Sequence, residues 1–322
     1  MSGRECSDSS FSATVLALLM IVTSLSPLAM AEDVDDEDLH GFVGDLAGFD
    51  PIVQGKEYLF SESPVPVYSA TGFLKSQWRS HGYPDLTLPF SDSYINSRSS
   101  TRSCENAWSV GDTDDVATAG GSIAATVQKV SSNSAIFVED GQVIPSTTLN
   151  DIASTWESTI FPTVTSYFGS APDVDNTCQI EIVIFSIDGG GGIGGYFVPG
   201  LSSSKESVFM DVDDLSWRNT ILAHEFQHLL HNARDPFEYI WIDEGAADMA
   251  AYLCFGVTSS LTGHANEWSQ NSNMSVRWWN QRIADYGAGF LFLMYLSDKL
   301  GGASAISALS LIHISEPTRP RL

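Results

Sequence analysis

The pentapeptide HEFQH at residues 224–228, followed by WIDEG at residues 241–245, decides the fold of this chain. Residues four apart lie on one face of a helix, so His224 and His228 can present their imidazoles to a single metal ion. Glu225 lies about 100° further round the helix, where its carboxylate can reach a water at the metal rather than the metal itself. The pattern is typical of a zinc site that has its own general base.

The helix that carries HEFQH is predicted to be buried. Apolar residues flank the motif on both sides, as expected for an active-site helix inside a core. We expect this helix to end between Asn232 and Pro236, and its N-terminus to be capped by Asp213, Asp214 or Ser216.

A second helical pattern runs from about residue 243 to residue 255 and carries Glu244 and Asp248 four apart, hence on one face. A catalytic zinc site needs three protein ligands and an open position, and Glu244 is the candidate for the third ligand. Asp248 would accept the second ring N–H of a zinc-bound histidine and fix its tautomer. The alternative is a solvated acidic stripe. We favour the zinc interpretation because the rest of the segment is nearly all apolar or small, and an unpartnered carboxylate is costly to bury there.

The two motifs together resemble the gluzincin clan of zinc peptidases, in which the histidines of HExxH and a glutamate of a downstream ExxxD helix hold the metal. More narrowly, residues 105–305 resemble hyicolysin-type peptidases (family M30). Residues 134–140 are similar to an early strand of that family, residues 194–197 to its Gly-Tyr-Phe motif, and residues 285–296 to the helix after the ligands. The resemblance implies an α+β, zincin-like fold with a mixed β-sheet subdomain, the HExxH helix and a mainly helical C-terminal subdomain. It also implies a secreted zinc endopeptidase that acts on polypeptides.

The ends of the chain are assigned separately. Residues 1–31 contain Arg4, an apolar run and a terminal Ala-Met-Ala, which predict a secretory signal peptide; an N-terminal anchor helix is the alternative. Residues 32–104 form a predicted N-terminal extension, and the sequence leaves open a propeptide, a small β-rich module or an arm wrapped on the next domain. The zinc peptidase domain is predicted at residues 105–310. Residues 311–322 resemble translated sequencing-adapter sequence, so we expect this domain to be truncated at its C-terminus.

The composition is that of an acidic exported protein. Its formal charge is -25, from 40 acidic and 15 basic residues, which opposes binding to nucleic acid and to anionic membranes. Beyond the signal peptide, we expect no membrane-spanning segment. The resemblance to zinc peptidases implies polypeptide substrates as partners, and the composition leaves the oligomeric state open.

Three cysteines follow the predicted signal peptide: Cys104, Cys178 and Cys254. An exported protein can form disulfides, and we favour pairing of Cys104 with Cys178, which flank the first half of the peptidase domain. Cys254 is expected to be a small buried core residue. Pairing of Cys104 with Cys254, or with a cysteine outside this chain, remains open.

Regular secondary-structure patterns begin near residue 105. A helix is predicted at residues 146–168, interrupted near Pro162 because proline removes a helix hydrogen bond. The glycine run at residues 189–195 predicts a flexible loop close to the cleft rather than a phosphate-binding loop. Strands are predicted at residues 123–130, 135–139, 179–185 and 206–211.

In zincins, the strand at the edge of the sheet typically binds the substrate backbone by strand addition.

Three residues are candidates to donate a hydrogen bond to the tetrahedral oxyanion, although core packing or a surface position is the preferred interpretation for each: Tyr252, Tyr286 and His264, the last in a predicted polar loop. His231 follows His228 by three residues and competes with Glu244 as a ligand, although a histidine at the negative end of a helix is the simpler account.

Calcium is a second candidate cofactor, because this ion prefers clustered oxygen ligands. No complete calcium-loop pattern is present, so solvated turns and a helix cap are the preferred interpretation. The acidic residues concerned are Asp173, Asp175, Asp211, Asp213 and Asp214.

We therefore predict a zinc endopeptidase with His224, His228 and Glu244 as ligands and Glu225 as general base. Two alternatives remain. One is a secreted zincin-fold binding or surface protein without turnover. The other is a structural zinc closed by His231 as a fourth ligand.

Overall fold

A mixed sheet of seven strands forms the first half of the fold. The computed structural model describes residues 68–80, 104–201 and 204–306; the predicted signal peptide and the adapter-like tail lie outside them. The strands are β1 (Tyr68–Ser69), β2 (Thr113–Thr118), β3 (Gly121–Val130), β4 (Ser134–Glu139), β5 (Ile180–Phe185), β6 (Ile193–Tyr196) and β7 (Ser207–Asp211). Their order across the sheet is β1-β6-β7-β5-β4-β3-β2.

The centre of the sheet is parallel, and each side contains antiparallel pairing. β4, β5 and β7 pair in parallel, β2 and β3 continue from β4 as an antiparallel meander, and β6 runs antiparallel to β7. β1 then pairs in parallel with β6. Every residue of β5 is buried, which explains why this strand consists of Ile, Val and Phe apart from Glu181. Alternate residues serve opposite faces: Ile182 and Ile184 join the helical core, whereas Val183 and Phe185 join the core on the other face.

Helices cover the sheet and make up most of the second half of the fold. Their bounds are α1 (Thr71–Ser80), α2 (Ser146–Thr155), α3 (Phe161–Phe168), α4 (Arg218–Asn232), α5 (Ile240–Phe255), α6 (Ser259–Gln270) and α7 (Ile283–Leu300). The expected α+β class, with a mixed sheet followed by a mainly helical C-terminal region, is confirmed. Across the described ranges, no helix combines the length and the apolar character that crossing a membrane requires.

The helix predicted at residues 146–168 is interrupted, but earlier than the proline. A π-helical turn, Trp156–Ile160, separates α2 from α3, and the N–H of Phe161 donates to the carbonyl of Trp156. Pro162 has no N–H to donate to the preceding turn, so the chain widens just before it.

The predicted capping of α4 by Asp213, Asp214 or Ser216 is wrong. A 3₁₀ helix, Val212–Trp217, runs directly into α4, and the N–H of Arg218 donates to the carbonyl of Leu215. Trp217 stands at the cap position without a side-chain hydrogen bond. The N–H groups that a capping side chain would satisfy are thus partly taken by the 3₁₀ turn.

The glycine run ends as a strand, so the prediction of a loop up to residue 195 is wrong in its last part. β6 begins at Ile193 and includes Gly195. A Cβ at Gly195 would lie 2.5 Å from the carbonyl oxygen of Phe209 on β7, so only glycine fits at this close approach.

A disulfide joins Cys104 to Cys178, the pair that the sequence favoured, with their Cα atoms 5.2 Å apart. The link fixes the start of the described domain to the loop before β5. Cys254 on α5 is a free thiol and is partly buried, and burial raises its pKa to about 12.

Candidate metal centre

Two packed helices bring three metal-ligating side chains together. α4 supplies His224 and His228, and α5 supplies Glu244. The Nε2 atoms of the two histidines lie 3.1 Å apart, and Glu244 Oε2 lies 3.1 Å from His224 Nε2 and 3.2 Å from His228 Nε2. Tetrahedral zinc ligands at about 2.05 Å from the metal are separated by about 3.3 Å, so the three atoms have the spacing of a zinc face.

The electrostatics of this group also suit a cation. Glu244 is fully buried, and its Oε1 has no hydrogen-bond partner within the described part of the chain. Burial lowers the pKa of His228, but the charges of Asp243 and Glu244 outweigh it and raise that pKa to about 9. The pKa of His224 is likewise raised well above its usual value, against burial, by hydrogen bonds to Asp248 and Glu244. The site therefore attracts positive charge, whether as protons or as a metal ion.

Each candidate histidine ligand has its own carboxylate behind it. Asp248 Oδ1 lies 2.9 Å from His224 Nδ1, which is the contact expected from the sequence. Asp243 Oδ2 lies 3.0 Å from His228 Nδ1. The hydrogen bond between His224 and Asp248 holds Nδ1 as the protonated nitrogen and leaves Nε2 free to bind a metal, whereas Asp243 and His228 are paired by charge. Sequence reasoning missed Asp243 because it searched for pairs four residues apart, and Asp243 directly precedes Glu244. Its place in an apolar helix was the signal that it needed a buried partner.

The candidate general base, Glu225, follows the candidate ligand His224 on α4 and is hydrogen-bonded by a residue of α1. Glu225 is buried, and its Oε2 accepts a hydrogen bond from Thr71 Oγ1 at 2.8 Å. The same hydroxyl oxygen accepts from the backbone N–H of Phe197 at 2.7 Å. Burial raises the pKa of Glu225, although the charges of His224 and His228 partly oppose the rise. A carboxylate with a raised pKa is suited to taking and returning a proton near neutral pH.

Residues 68–80, which we call the cleft segment, contact the centre at several points. Sequence analysis placed them in the N-terminal extension at residues 32–104, but the structure builds them into the sheet through β1 and against the site through α1. A Cβ at Gly72 would lie 2.7 Å from Glu244 Oε1. Lys75 is fully buried and forms an ion pair with Asp243. Tyr286 Oη donates to the carbonyl oxygen of Ser69 at 2.6 Å.

The three candidate oxyanion donors lie in different places. The Tyr286 ring lies 6.4 Å from the His224 ring and borders the centre. The predicted polar loop around His264 is wrong: this residue lies in α6, buried, with Nδ1 2.7 Å from Asp248 Oδ2. The Thr258 cap starts α6 there, and the sequence signal for that cap was overlooked. Tyr252 is partly buried and packs against Phe290 in the helical core.

His231 has partners other than the ligand group. Its Nδ1 lies 3.2 Å from Asp243 Oδ1 and 3.0 Å from Gln227 Nε2. It therefore extends the network around Asp243 and is not one of the three converging ligand residues.

The candidate calcium residues are divided between two places. Asp173 and Asp175 lie with Glu206 in a group whose oxygens are within 4.8 Å of one another, and such acidic groups are common without an ion. Asp211 instead accepts a hydrogen bond from the N–H of Asp213 at the start of the 3₁₀ helix.

The chain is similar to the neutral metalloprotease ShpI of Staphylococcus hyicus, with 27% identity over 208 residues, covering 54% of this chain and 47% of that protein. The chain thus spans about half the length of this relative. No protein-family model matches the chain. The similarity supports the expected relationship to hyicolysin-type metalloproteases.

Proposed function

We propose that this protein is a secreted, zinc-dependent endopeptidase with a zincin-like catalytic domain at residues 105–310. The observation that carries the proposal is the convergence of His224 Nε2, His228 Nε2 and Glu244 Oε2 within 3.2 Å, with Glu225 beside them. The similarity to a metalloprotease supports a peptidase rather than another zinc hydrolase. Secretion rests on the predicted signal peptide at residues 1–31.

The ligand set fits zinc better than a hard cation, because two imidazoles and one carboxylate are typical zinc donors. When bound, zinc would polarise the scissile carbonyl and lower the pKa of a water towards neutrality. Asp248 keeps the His224 imidazole in the tautomer that ligation needs, and the charge of Asp243 lies 3.0 Å from Nδ1 of His228.

Glu225 acts as general base in this scheme. Its carboxylate takes a proton from the attacking water and then delivers it to the amine that leaves. Thr71 donates to Oε2 and leaves Oε1 as the oxygen available to the water. Tyr286, next to His224, is the best placed of the three candidates to donate to the oxyanion once its hydroxyl is free of Ser69.

The test compares zinc content and cleavage of unfolded casein for the wild type and Glu225→Gln, before and after mild trypsin treatment. Glu105→Gln, a change at an exposed glutamate, is the matched control. We expect one zinc in all three proteins and cleavage by the wild type and the control alone. A folded wild type without zinc, or equal cleavage by Glu225→Gln, would rule out the mechanism.

A zincin-fold binding protein without turnover is the alternative. It predicts one zinc and no cleavage by any preparation, whatever the treatment. The presence of Glu225, with a raised pKa and within reach of the ligand group, argues against it.

A further inference from the structure

His264 is buried among the C-terminal helices and contacts the carboxylate that supports a candidate ligand. The residue lies in α6 and is 3% exposed, and its Nδ1 lies 2.7 Å from Oδ2 of Asp248. The other oxygen of that carboxylate, Oδ1, lies 2.9 Å from Nδ1 of His224. One buried carboxylate on α5 thus joins a candidate zinc ligand on α4 to a histidine on α6.

A second contact connects His264 to the same neighbourhood. Its ring packs against the ring of Tyr286, with centroids 5.1 Å apart and an angle of 36° between the planes. Tyr286 in turn borders His224, with ring centroids 6.4 Å apart. His264 itself is not one of the three converging ligand residues, so it acts on the ligand group through its neighbours.

Close helix packing fixes the backbone that carries His264. α6 and α7 meet at Gly287, where an added Cβ would overlap the carbonyl oxygen of His264. Two residues further along α7, a Cβ at Gly289 would lie 2.6 Å from the carbonyl oxygen of Trp241 on α5. Glycine allows these backbone contacts because it has no Cβ. α7 therefore holds α5, which carries Asp248, and α6, which carries His264, by direct contact with the backbone of each.

The hydrogen bond from His264 matters because Asp248 is 1% exposed. A buried carboxylate needs donors for its oxygens, and His224 and His264 each serve one of them. An apolar residue at position 264 would leave Oδ2 without this donor in the interior. The carboxylate would then be free to rotate, and the ring of His224 would lose the fixed acceptor that orients it.

We propose that His264 is a positioning residue of the metal centre, which holds Asp248 in the orientation that directs Nε2 of His224 at the zinc ion. This inference rests on the zinc centre of the proposed function and does not depend on turnover. It gives His264 a role other than that of oxyanion donor.

The test measures the zinc dissociation constant of the full chain by competition with a chromogenic chelator. His264→Leu removes the N–H at similar volume, whereas the amide of His264→Asn can place an N–H close to the position of Nδ1. Loss of an outer-sphere partner typically weakens metal binding 10- to 100-fold, and His264 lies one contact further out, so we expect about fivefold weaker binding for Leu and recovery to within about twofold for Asn. Gln270→Leu, at an exposed position of the same helix, is the matched control and should bind zinc as the wild type does.

A double-mutant cycle asks whether His264 acts through Asp248. In the Asp248→Ala background the carboxylate is absent, so adding His264→Leu should weaken zinc binding no further.

Cobalt substitution gives a spectroscopic measurement, because the visible absorption of bound Co²⁺ depends on ligand geometry. The bands should shift in His264→Leu and return in His264→Asn. A residue that only stabilises the fold would lower the urea midpoint and leave the cobalt spectrum unchanged.

The outcomes separate the two proposals. Unchanged zinc affinity in folded His264→Leu, or losses that multiply in the double variant, would overturn the positioning role, and cleavage of casein by the wild type would still support the peptidase function. A wild type that shows the coupling but leaves casein intact supports the positioning role and refutes the peptidase function. His264→Gln, whose amide lies one bond further from the backbone, replaces His264→Leu if the latter does not fold, with the same expected loss.

Discussion

Asp248 offers the most direct test of the metal centre because one carboxylate holds two imidazoles. Its Oδ1 lies 2.9 Å from His224 Nδ1 and its Oδ2 lies 2.7 Å from His264 Nδ1. Burial raises the pKa of Asp248, but the charge of His264 and the hydrogen bond to His224 outweigh burial and leave the pKa below its usual range. Asp248 is therefore an ionised acceptor, and it directs the Nε2 atom of His224 at the other two ligand atoms.

Two substitutions at Asp248 remove its hydrogen bonds to the imidazoles to different extents. Asp248→Asn keeps the shape but removes the charge and replaces one acceptor oxygen with a donor, so one of the two imidazoles loses its acceptor. Asp248→Ala removes both acceptors. Loss of an outer-sphere partner typically weakens metal binding 10- to 100-fold, so we expect about tenfold weaker zinc binding for Asn and about 100-fold for Ala. These changes correspond to ~1.4 and ~2.8 kcal/mol.

The zinc dissociation constant is measured at pH 7.5 by competition with a chromogenic chelator, and circular dichroism checks that each variant is folded. Asp298→Asn is the control, since that side chain is 73% exposed on α7. The reasoning is refuted if the folded Asp248→Ala protein binds zinc within threefold of the wild type, or if Asn is more harmful than Ala.

Three further predictions test other parts of the structure. Glu225→Gln should lower kcat about 10²- to 10⁴-fold at unchanged zinc content, measured with a quenched fluorescent peptide and atomic absorption; a smaller loss would argue against a general base. Zinc uptake at pH 7.5 should release protons: burial lowers the pKa of His228, but Asp243 and Glu244 raise it to about 9, so the metal must displace a proton. The zinc dissociation constant should accordingly increase as pH falls below about 9, and calorimetry in two buffers of different ionisation enthalpy counts the protons. Reduction of the disulfide, which closes a separation of 74 residues, should lower the free energy of unfolding by up to about 4 kcal/mol; an unchanged urea midpoint would contradict this.

The sequence predicts the elements whose signals are local. Spacing of four residues identifies one face of α4 and one face of α5, and the observed helices, Arg218–Asn232 and Ile240–Phe255, contain both predicted patterns. Apolar, β-branched runs likewise predict β3, β4, β5 and β7 to within two residues at each end. Because these signals come from neighbouring residues, they need no knowledge of the rest of the chain.

The long-range contacts that bury the candidate metal centre cannot be predicted from such local signals. Thr71 meets Glu225 across 154 positions of sequence, and Lys75 meets Asp243 across 168. Neither Thr71 nor Lys75 belongs to a motif, and a lysine in a short helix is usually a surface residue. Only the fold shows that α1 packs against the candidate metal centre, and hence that part of the predicted extension contacts Glu225 and Asp243.

The charges that the fold collects explain why protons and a metal ion would compete for the same place. Glu225, Asp243, Glu244 and Asp248 are all buried, and Lys75 pairs with one of them. With neutral imidazoles, four negative charges against one positive leave an excess of three, which a buried site does not tolerate without compensation. In the metal-free protein the raised pKa values of His224 and His228 supply that compensation as protons. A divalent cation can replace those protons at the Nε2 atoms, and protonation of Glu225 during turnover would balance the charge that is left. The acidic network therefore belongs to the candidate metal site, and its carboxylates would act on a bound ion whether or not they touch it.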